Sequence, residues 1–199
     1  MKFLMALLLT ALFLVSCDRL EGQLNITKEL SLVNSKGDSH LLKIGTYSAD
    51  LRESTFGKKI VLRLKNDADE KFNFTIPNGS KIPTNGTFKL FANDIGQNVD
   101  LAGIVSTTYI DSETREAYQS CSYTEPYTVC APTGPNGQVS CQTGMRTVYG
   151  TQWTRFFDRT TQQNINMSIL VANSSEESAQ FLGSAAFVQR IIVSQTACR

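Results

Sequence analysis

The sequence predicts an all-β protein, built either as an antiparallel β-sandwich or as two small β domains. Apolar residues recur at every second position between turn signals, and they seldom recur at every third or fourth position. Asn-Gly pairs at 78–79 and 85–86 mark tight turns, since asparagine and glycine accept the positive φ that hairpin turns require. Together these patterns favour antiparallel strands over helices.

Each strand is predicted from its own alternating stretch. Apolar residues alternate across 24–32, and the alternating stretches 60–64 and 72–76 flank a polar turn at 66–70. The polar turn between two such stretches predicts a hairpin. Further strands are predicted at 99–110, 146–157, 164–171 and 181–193.

A short apolar leader opens the chain and ends at Cys17. Lys2 precedes an apolar run over 3–15, which is shorter than the roughly 20 residues that a spanning helix needs. Leu14, Val15 and Ser16, placed directly before Cys17, resemble the lipobox of bacterial lipoproteins. The resemblance covers residues 1–18.

The lipobox resemblance implies that the leader 1–16 is a signal peptide and is removed. It also implies that the Cys17 sulfur receives a diacylglyceryl group and that the new amine is acylated. Each buried methylene contributes about 0.8 kcal/mol, so two or more acyl chains anchor stably. The protein is therefore expected to be tethered to a membrane without spanning it and to face the periplasm. Asp18 leaves the choice between inner and outer membrane open, and an ordinary secretory leader is the alternative.

Composition divides the mature chain. Every lysine lies at or before Lys89, whereas the cysteines of the mature body all lie after it. We therefore expect a lipidated tether at 17–22, an N-terminal β region at 23–95 and a C-terminal disulfide-containing β region at 96–199. One continuous sandwich with a disulfide-containing half is the alternative.

The charge balance argues against nucleic acid as a partner. The chain has 19 basic and 18 acidic residues, and Lys2 is the only charged residue of the leader, so the mature chain is formally neutral. A neutral chain provides no general attraction to a polyanion. The membrane, reached through the lipid anchor, is the partner that the sequence predicts, with peptidoglycan or an envelope protein as further candidates.

Four cysteines remain in the mature body, and export delivers them to an oxidising compartment, which favours two disulfides. These are Cys121, Cys130, Cys141 and Cys198. A turn at 135–137 would place Cys130 opposite Cys141 in a hairpin, but all three connectivities stay open. A zinc site is the alternative; no Cys-x-x-Cys pair is present, and the only histidine, His40, is remote from the cysteines. No metal or cofactor is predicted.

The segment 149–159 is the predicted binding face. If it is extended, alternate residues share one side of the strand and place aromatic rings beside guanidinium groups. Those residues are Tyr149, Trp153, Arg155, Phe157 and Arg159. Such a face stacks on sugar rings, as in peptidoglycan, or anchors a protein interface. The binding face is one of two interpretations; the preferred one is that Trp153 and Phe157 point into the core and the arginines lie at the sheet ends, since large aromatic residues dominate β cores.

Two short patterns resemble known sites but are better explained as turns. Gly-Asp-Ser at 37–39 resembles the block around the nucleophilic serine of a hydrolase family, but the adjacent His40 is the only histidine and no other could act as the base. The oxygen-rich stretch 66–70 lacks the glycine and the later glutamate of a calcium-binding EF-hand loop. Both stretches are predicted to be turns.

The expected function is therefore a binding or structural role in the bacterial cell envelope, without catalysis. The alternative is a hydrolase that cleaves envelope glycans with a pair of carboxylates, a reaction that needs no histidine. The candidate carboxylates are Asp111, Glu113, Glu116 and Asp158.

Overall fold

Strands form almost all of the structure. The computed structural model describes residues 19–54, 58–65, 70–77, 82–132 and 139–199. In chain order the elements are β1 (Arg19–Ile26), β2 (Leu30–Val33), β3 (Ser39–Leu42), β4 (Gly45–Glu53), β5 (Lys59–Leu64), β6 (Lys71–Thr75), β7 (Gly86–Leu90), α1 (Ala92–Ile95), β8 (Val99–Asp111), β9 (Arg115–Pro132), β10 (Val139–Val171) and β11 (Glu177–Gln195). The predicted all-β antiparallel class is confirmed. Among the described residues, no helix has the length and hydrophobicity needed to cross a bilayer.

The chain divides into two compact units. Unit 1 contains the residues up to 108 together with 162–186, and unit 2 contains 109–161 and 187–199. Strands β8, β10 and β11 contribute residues to both units. Unit 1 includes residues on both sides of position 95, and the predicted boundary there stays a prediction.

Unit 1 is a curled antiparallel sheet with the strand order β6-β5-β4-β1-β11-β10-β8-β7, and β2 and β3 form a separate hairpin. Its core follows from the alternation in the sequence. In the predicted hairpin of β5 and β6, Ile60 lies opposite Phe74 and Leu62 opposite Phe72, and all four side chains are buried. Each such side chain contributes about 1.5 to 3 kcal/mol on burial.

The turn between β2 and β3 is confirmed at the predicted position. The Asn34 side-chain oxygen accepts hydrogen bonds from the backbone N–H groups of Lys36 and Asp38, at 2.9 and 3.0 Å. Gly37 adopts a φ of 94°, in the left-handed region that glycine enters without strain. Gly37 and Asp38 therefore belong to a turn with local hydrogen bonds, and Ser39 begins β3.

Two buried polar side chains, Gln97 and Asp50, form hydrogen bonds and ion pairs within unit 1. The amide of Gln97 accepts a hydrogen bond from the Val33 N–H at 2.8 Å and donates to the carbonyl oxygens of Val33 and Asn73. The Asp50 carboxylate, 1% exposed, receives Arg63 at 2.8 Å, and the Arg19 guanidinium lies 3.4 Å away. Burial of these polar groups is tolerated because each has partners.

Unit 2 is a long β-ribbon. Strands β9 and β10 pair without interruption from Arg115 opposite Phe156 to Pro132 opposite Val139. Both predicted disulfides are confirmed, and they join Cys121 to Cys198 and Cys130 to Cys141.

The chain end lies against β10 at Gly150, which is directly opposite Cys121. A Cβ atom at Gly150 would lie 2.3 Å from the carbonyl oxygen of Arg199. Arg199 also exchanges both backbone hydrogen bonds with Thr151, at 2.8 and 3.1 Å. Glycine at this position therefore permits the approach that brings Cys198 to Cys121.

The structure corrects three predicted strand boundaries. The predicted strands 146–157 and 164–171 belong to one strand, β10, because the polar residues between them continue the sheet. The alternating stretch 24–32 is interrupted where the N–H groups of Thr27 and Lys28 donate to the Ser178 carbonyl. Residues 19–22, expected in a tether, are part of β1. Strands β3, β4, β7 and β9 were not among the predicted strands.

Candidate functional site

The predicted binding face is exposed along β10. Thr154 and Phe156 are buried at 0% and 6% exposure, so the odd-numbered residues between and around them point away from that buried side. Trp153 and Phe157 are half-buried and Tyr149 is 83% exposed. Neither Trp153 nor Phe157 is among the buried core residues of the described part of the chain.

Strand β9 adds an aromatic residue that sequence reasoning missed. Tyr118 lies directly opposite Trp153 and is 77% exposed, and Ser122 lies opposite Tyr149. Directly opposed residues have Cβ atoms about 4.5 to 5.5 Å apart, so the two side chains share one patch. We call this surface the aromatic face; it consists of Tyr118, Tyr149, Trp153, Arg155, Phe157 and Arg159.

The two arginines of the aromatic face are held differently. Arg159 donates two hydrogen bonds to the Asp111 carboxylate, at 2.7 and 2.8 Å, and its guanidinium lies over the Phe157 ring at 5.4 Å. The hydrogen bond from Arg159 holds the pKa of Asp111 below its ordinary value of 3.8. Arg155 lies 3.9 Å from Glu116, too far for a hydrogen bond. Arg155 therefore keeps donors available for a ligand.

A second charged cluster lies around Phe156. Arg190 donates to Asp158 at 2.9 Å, and Arg115 forms an ion pair with the same carboxylate. The two guanidinium groups lie over the Phe156 ring at 4.1 and 5.4 Å. The hydrogen bond from Arg190 is the main cause that lowers the pKa of Asp158 below 3.8. This cluster covers an aromatic ring with charged side chains that also satisfy one another.

The candidate hydrolase carboxylates Asp111 and Asp158 are each paired with arginine. Asp111 binds Arg159 and Asp158 is adjacent to Arg159 in β10, so the two aspartates lie on opposite faces of the ribbon. Glycoside cleavage needs two carboxyl groups that flank one bond, with the pKa of the acid raised. Both aspartates instead have a lowered pKa. Glu113 and Glu116 are exposed.

The residues of the Gly-Asp-Ser turn have separate partners. The Ser39 hydroxyl forms a hydrogen bond with Ser31 at 2.9 Å, and His40 Nε2 lies 3.0 Å from a Glu70 carboxylate oxygen. His40 therefore does not hold the neighbouring serine as a base would.

The remaining sequence predictions concern the metal sites and the leader with Cys17. Disulfide bonds engage all four cysteines of the described residues, so these supply no thiolate to a zinc ion. The described ranges contain no group of three or more metal-ligating side chains. The leader with Cys17, and 66–69 of the oxygen-rich stretch, lie outside the described residues.

Comparison with known proteins gives no assignment. No family model, curated protein or solved structure matches the chain. The geometry of the aromatic face is therefore the basis for the functional argument.

Proposed function

We propose that this protein is a lipid-anchored binding protein of the bacterial cell envelope that holds a glycan such as peptidoglycan on the aromatic face. The observation that favours this function is the exposure of large aromatic rings on two neighbouring strands. Tyr118 and Tyr149 are 77% and 83% exposed, although leaving such large rings in water forgoes the free energy of burial. A ligand that stacks on these rings would recover it.

The spacing of the rings suits an extended polymer. Tyr149, Trp153 and Phe157 follow one another at intervals of four residues along β10, or about 14 Å at the usual strand rise. Tyr118 widens the platform beside Trp153. Sugar rings present C–H faces that stack on aromatic rings, and Arg155 adds donors for hydroxyl or carbonyl oxygens. A glycan chain lying along the strand would meet several of these groups at once.

The anchor would hold the fold at the membrane surface. Cys17 precedes the first residue of β1 by two positions. Two residues span at most about 7 Å, so a lipid on Cys17 would leave almost no free tether. A protein held this close to a membrane would present its binding face to polymers of the adjacent periplasm.

Co-sedimentation with purified peptidoglycan sacculi tests the binding function. The lipid-free chain 18–199 should pellet with sacculi, and Trp153→Ala and Tyr118→Ala should each reduce the bound fraction, because each removes a stacking ring. Tyr127→Ala is the matched control, since Tyr127 lies in the same strand as Tyr118 but on the opposite face and is 40% exposed. Unchanged binding in both Trp153→Ala and Tyr118→Ala would refute the glycan function.

Fractionation tests the anchor separately. Replacing Cys17 with serine removes the thiol that would carry the lipid, so the variant should move from the membrane to the soluble periplasmic fraction. The wild-type protein should release a lipid-modified N-terminal peptide, detectable by mass spectrometry. Membrane association that persists in Cys17→Ser would contradict the anchor without affecting the sacculus result.

A further inference from the structure

We propose that unit 1 contains a second binding site, a groove for a neutral sugar on the side of its sheet that faces away from the core. This outer groove is lined by Gln23 of β1, Ile104 and Ser106 of β8, Asn164 and Asn166 of β10, and Leu182 of β11. Four neighbouring strands thus contribute to it. The proposal does not depend on the aromatic face, which lies in unit 2.

A pair of glycines lies beside the groove. Gly22 and Gly183 are direct partners in β1 and β11. A Cβ atom at Gly22 would lie 1.9 Å from the Leu182 carbonyl oxygen, and one at Gly183 would lie 2.5 Å from the Phe181 ring. Glycine at both positions therefore permits the close approach of β1 and β11 next to the groove. The groove has a volume of about 470 Å³, within the range of small-molecule sites.

The groove has no free charge. Among the residues that the structure describes, Glu21 is the only charged one that lines it, and the Lys65 ammonium lies 2.9 Å from the Glu21 carboxylate. The hydrogen bond from Lys65 also lowers the pKa of Glu21, so this carboxylate is ionised and already paired at neutral pH. An anionic ligand would find no basic side chain in the lining, and a cation would compete with Lys65. The electrostatics therefore favour an uncharged ligand.

Uncommitted polar groups line the groove. Within the part of the chain that the structure describes, the side chains of Gln23, Ser106 and Asn164 have no hydrogen-bond partner. The Asn166 side-chain oxygen accepts a hydrogen bond from Gln180 at 3.0 Å, which leaves its two N–H donors unused. Amides and hydroxyls both donate and accept, as the hydroxyl groups of a sugar require.

Two aliphatic side chains complete the match. Ile104 and Leu182 are 50% and 52% exposed, and they share the lining with the polar side chains. A sugar ring has apolar C–H faces and a rim of hydroxyl groups, so it would cover the aliphatic side chains while it bonds to the amides. A hydrocarbon chain would leave the amides unpaired, which costs free energy. The combination therefore points to a neutral saccharide.

The test is calorimetric titration of the lipid-free chain 18–199. Every protein in the test also carries Trp153→Ala, which removes a ring of the aromatic face, so that binding is assigned to the groove. The probes are N-acetylglucosamine trisaccharide and maltotriose. At least one should bind saturably, and Asn164→Ala should weaken that affinity roughly fivefold, as expected for one lost hydrogen bond. Ser106→Trp should abolish binding, because the indole would fill the groove without removing an amide. Asn98→Ala is the control, since Asn98 is exposed and does not line the groove.

The outcomes separate the groove from the glycan function proposed for the aromatic face. Failure of both trisaccharides to bind would overturn the groove proposal, as would binding that Asn164→Ala and Ser106→Trp leave unchanged. Neither result would alter the effect of Trp153→Ala on sacculus binding. Conversely, trisaccharide binding that survives Trp153→Ala and is lost in Ser106→Trp would establish the groove even if sacculi fail to bind.

Discussion

The two units use the same strand chemistry but are stabilised differently. Unit 1 buries an extensive apolar cluster that includes Leu24, Phe72, Phe74, Met167 and Phe181, each fully buried. Among the described residues of unit 2, only Thr154, Phe156 and Thr161 are buried, and both disulfides lie there. Unit 1 is therefore stabilised mainly by hydrophobic burial, and unit 2 by covalent links and polar contacts.

This difference shows how a sheet with little core remains ordered. A ribbon rich in Ser, Thr and Gln gains little from apolar burial, so the entropy cost of ordering its strands must be offset in another way. A disulfide lowers that cost by restricting the unfolded chain. Because few residues of unit 2 are buried, most of its described side chains stay exposed, which suits a surface that binds a ligand.

Removal of the Cys121–Cys198 disulfide is expected to cause the largest loss of unfolding free energy. The bond joins residues 77 positions apart, and the chain-entropy model gives about 4.5 kcal/mol for such a loop. The double variant Cys121→Ser/Cys198→Ser should lose roughly this free energy of unfolding. Fluorescence of Trp153, the only tryptophan, reports on unit 2 during denaturant titration.

The shorter disulfide provides the control. Cys130 and Cys141 are 11 positions apart, for which the same model gives about 2.8 kcal/mol. The variant Cys130→Ser/Cys141→Ser should therefore be affected less. Hydrogen exchange should show lost protection in unit 2 before unit 1 for both variants. Equal losses of unfolding free energy in the two variants, or earlier opening of unit 1, would contradict the conclusion that disulfides stabilise unit 2 and apolar burial stabilises unit 1.

Truncation of a core phenylalanine tests whether apolar burial is the main source of stability in unit 1. Phe72 is fully buried in unit 1, and Phe72→Ala should cost about 4 kcal/mol through lost burial and a residual cavity. Phe156→Ala in unit 2 should cost less, because Arg115 and Arg190 lie over that ring and can settle into the space. Denaturant unfolding followed by circular dichroism measures both. A larger loss for Phe156→Ala would show that unit 2 has a core of its own.

Local alternation predicted several strands of unit 1 but not β3, β4 or β7. Strands β5 and β6 lie where the sequence places them, because their buried residues recur at every second position on either side of a polar stretch. The same signal failed in unit 2. Strand β9 is mostly polar and packs no core, so its sequence resembles a loop although its backbone pairs fully with β10. The pairing depends on cross-strand register and disulfides, which hydrophobic periodicity does not encode.

The candidate site was predicted only in part, for the same reason. The odd-numbered residues from Tyr149 to Arg159 share a face, as the strand period requires. Tyr118 was missed because its place beside Trp153 depends on the β9–β10 register. The sequence contained a usable clue, since a Cys130–Cys141 pair across a hairpin fixes that register. The outer groove of unit 1 joins strands far apart in sequence, and no local pattern indicates it.

A stabilising substitution sharpens the comparison within unit 2. The hydroxyl of Thr154 is buried and has no hydrogen-bond partner in the described structure. An unsatisfied buried hydroxyl is costly, whereas valine has almost the same shape without the polar group. Thr154→Val should therefore raise the unfolding free energy of unit 2 by about 1 kcal/mol. Thr151→Val, at an exposed position of the same strand, is the control. Destabilisation by Thr154→Val would indicate that the hydroxyl has a partner in solution.

Acidification is expected to have the smallest effect, and it should act on unit 2 through Asp158. The hydrogen bond from Arg190, aided by Arg115, lowers the pKa of the folded-state carboxyl below 3.8. The unfolded chain then binds more protons than the folded chain as the pH falls, so stability present above the ordinary pKa is lost as the pH falls through the lowered one. Asp158→Asn removes this titration. The denaturant midpoint of unfolding, followed by Trp153 fluorescence, should therefore depend less on pH below about 4 in Asp158→Asn than in wild type. Asp38→Asn is the control and should behave like wild type. Equal pH dependence in all three proteins would exclude a contribution from the cluster around Phe156.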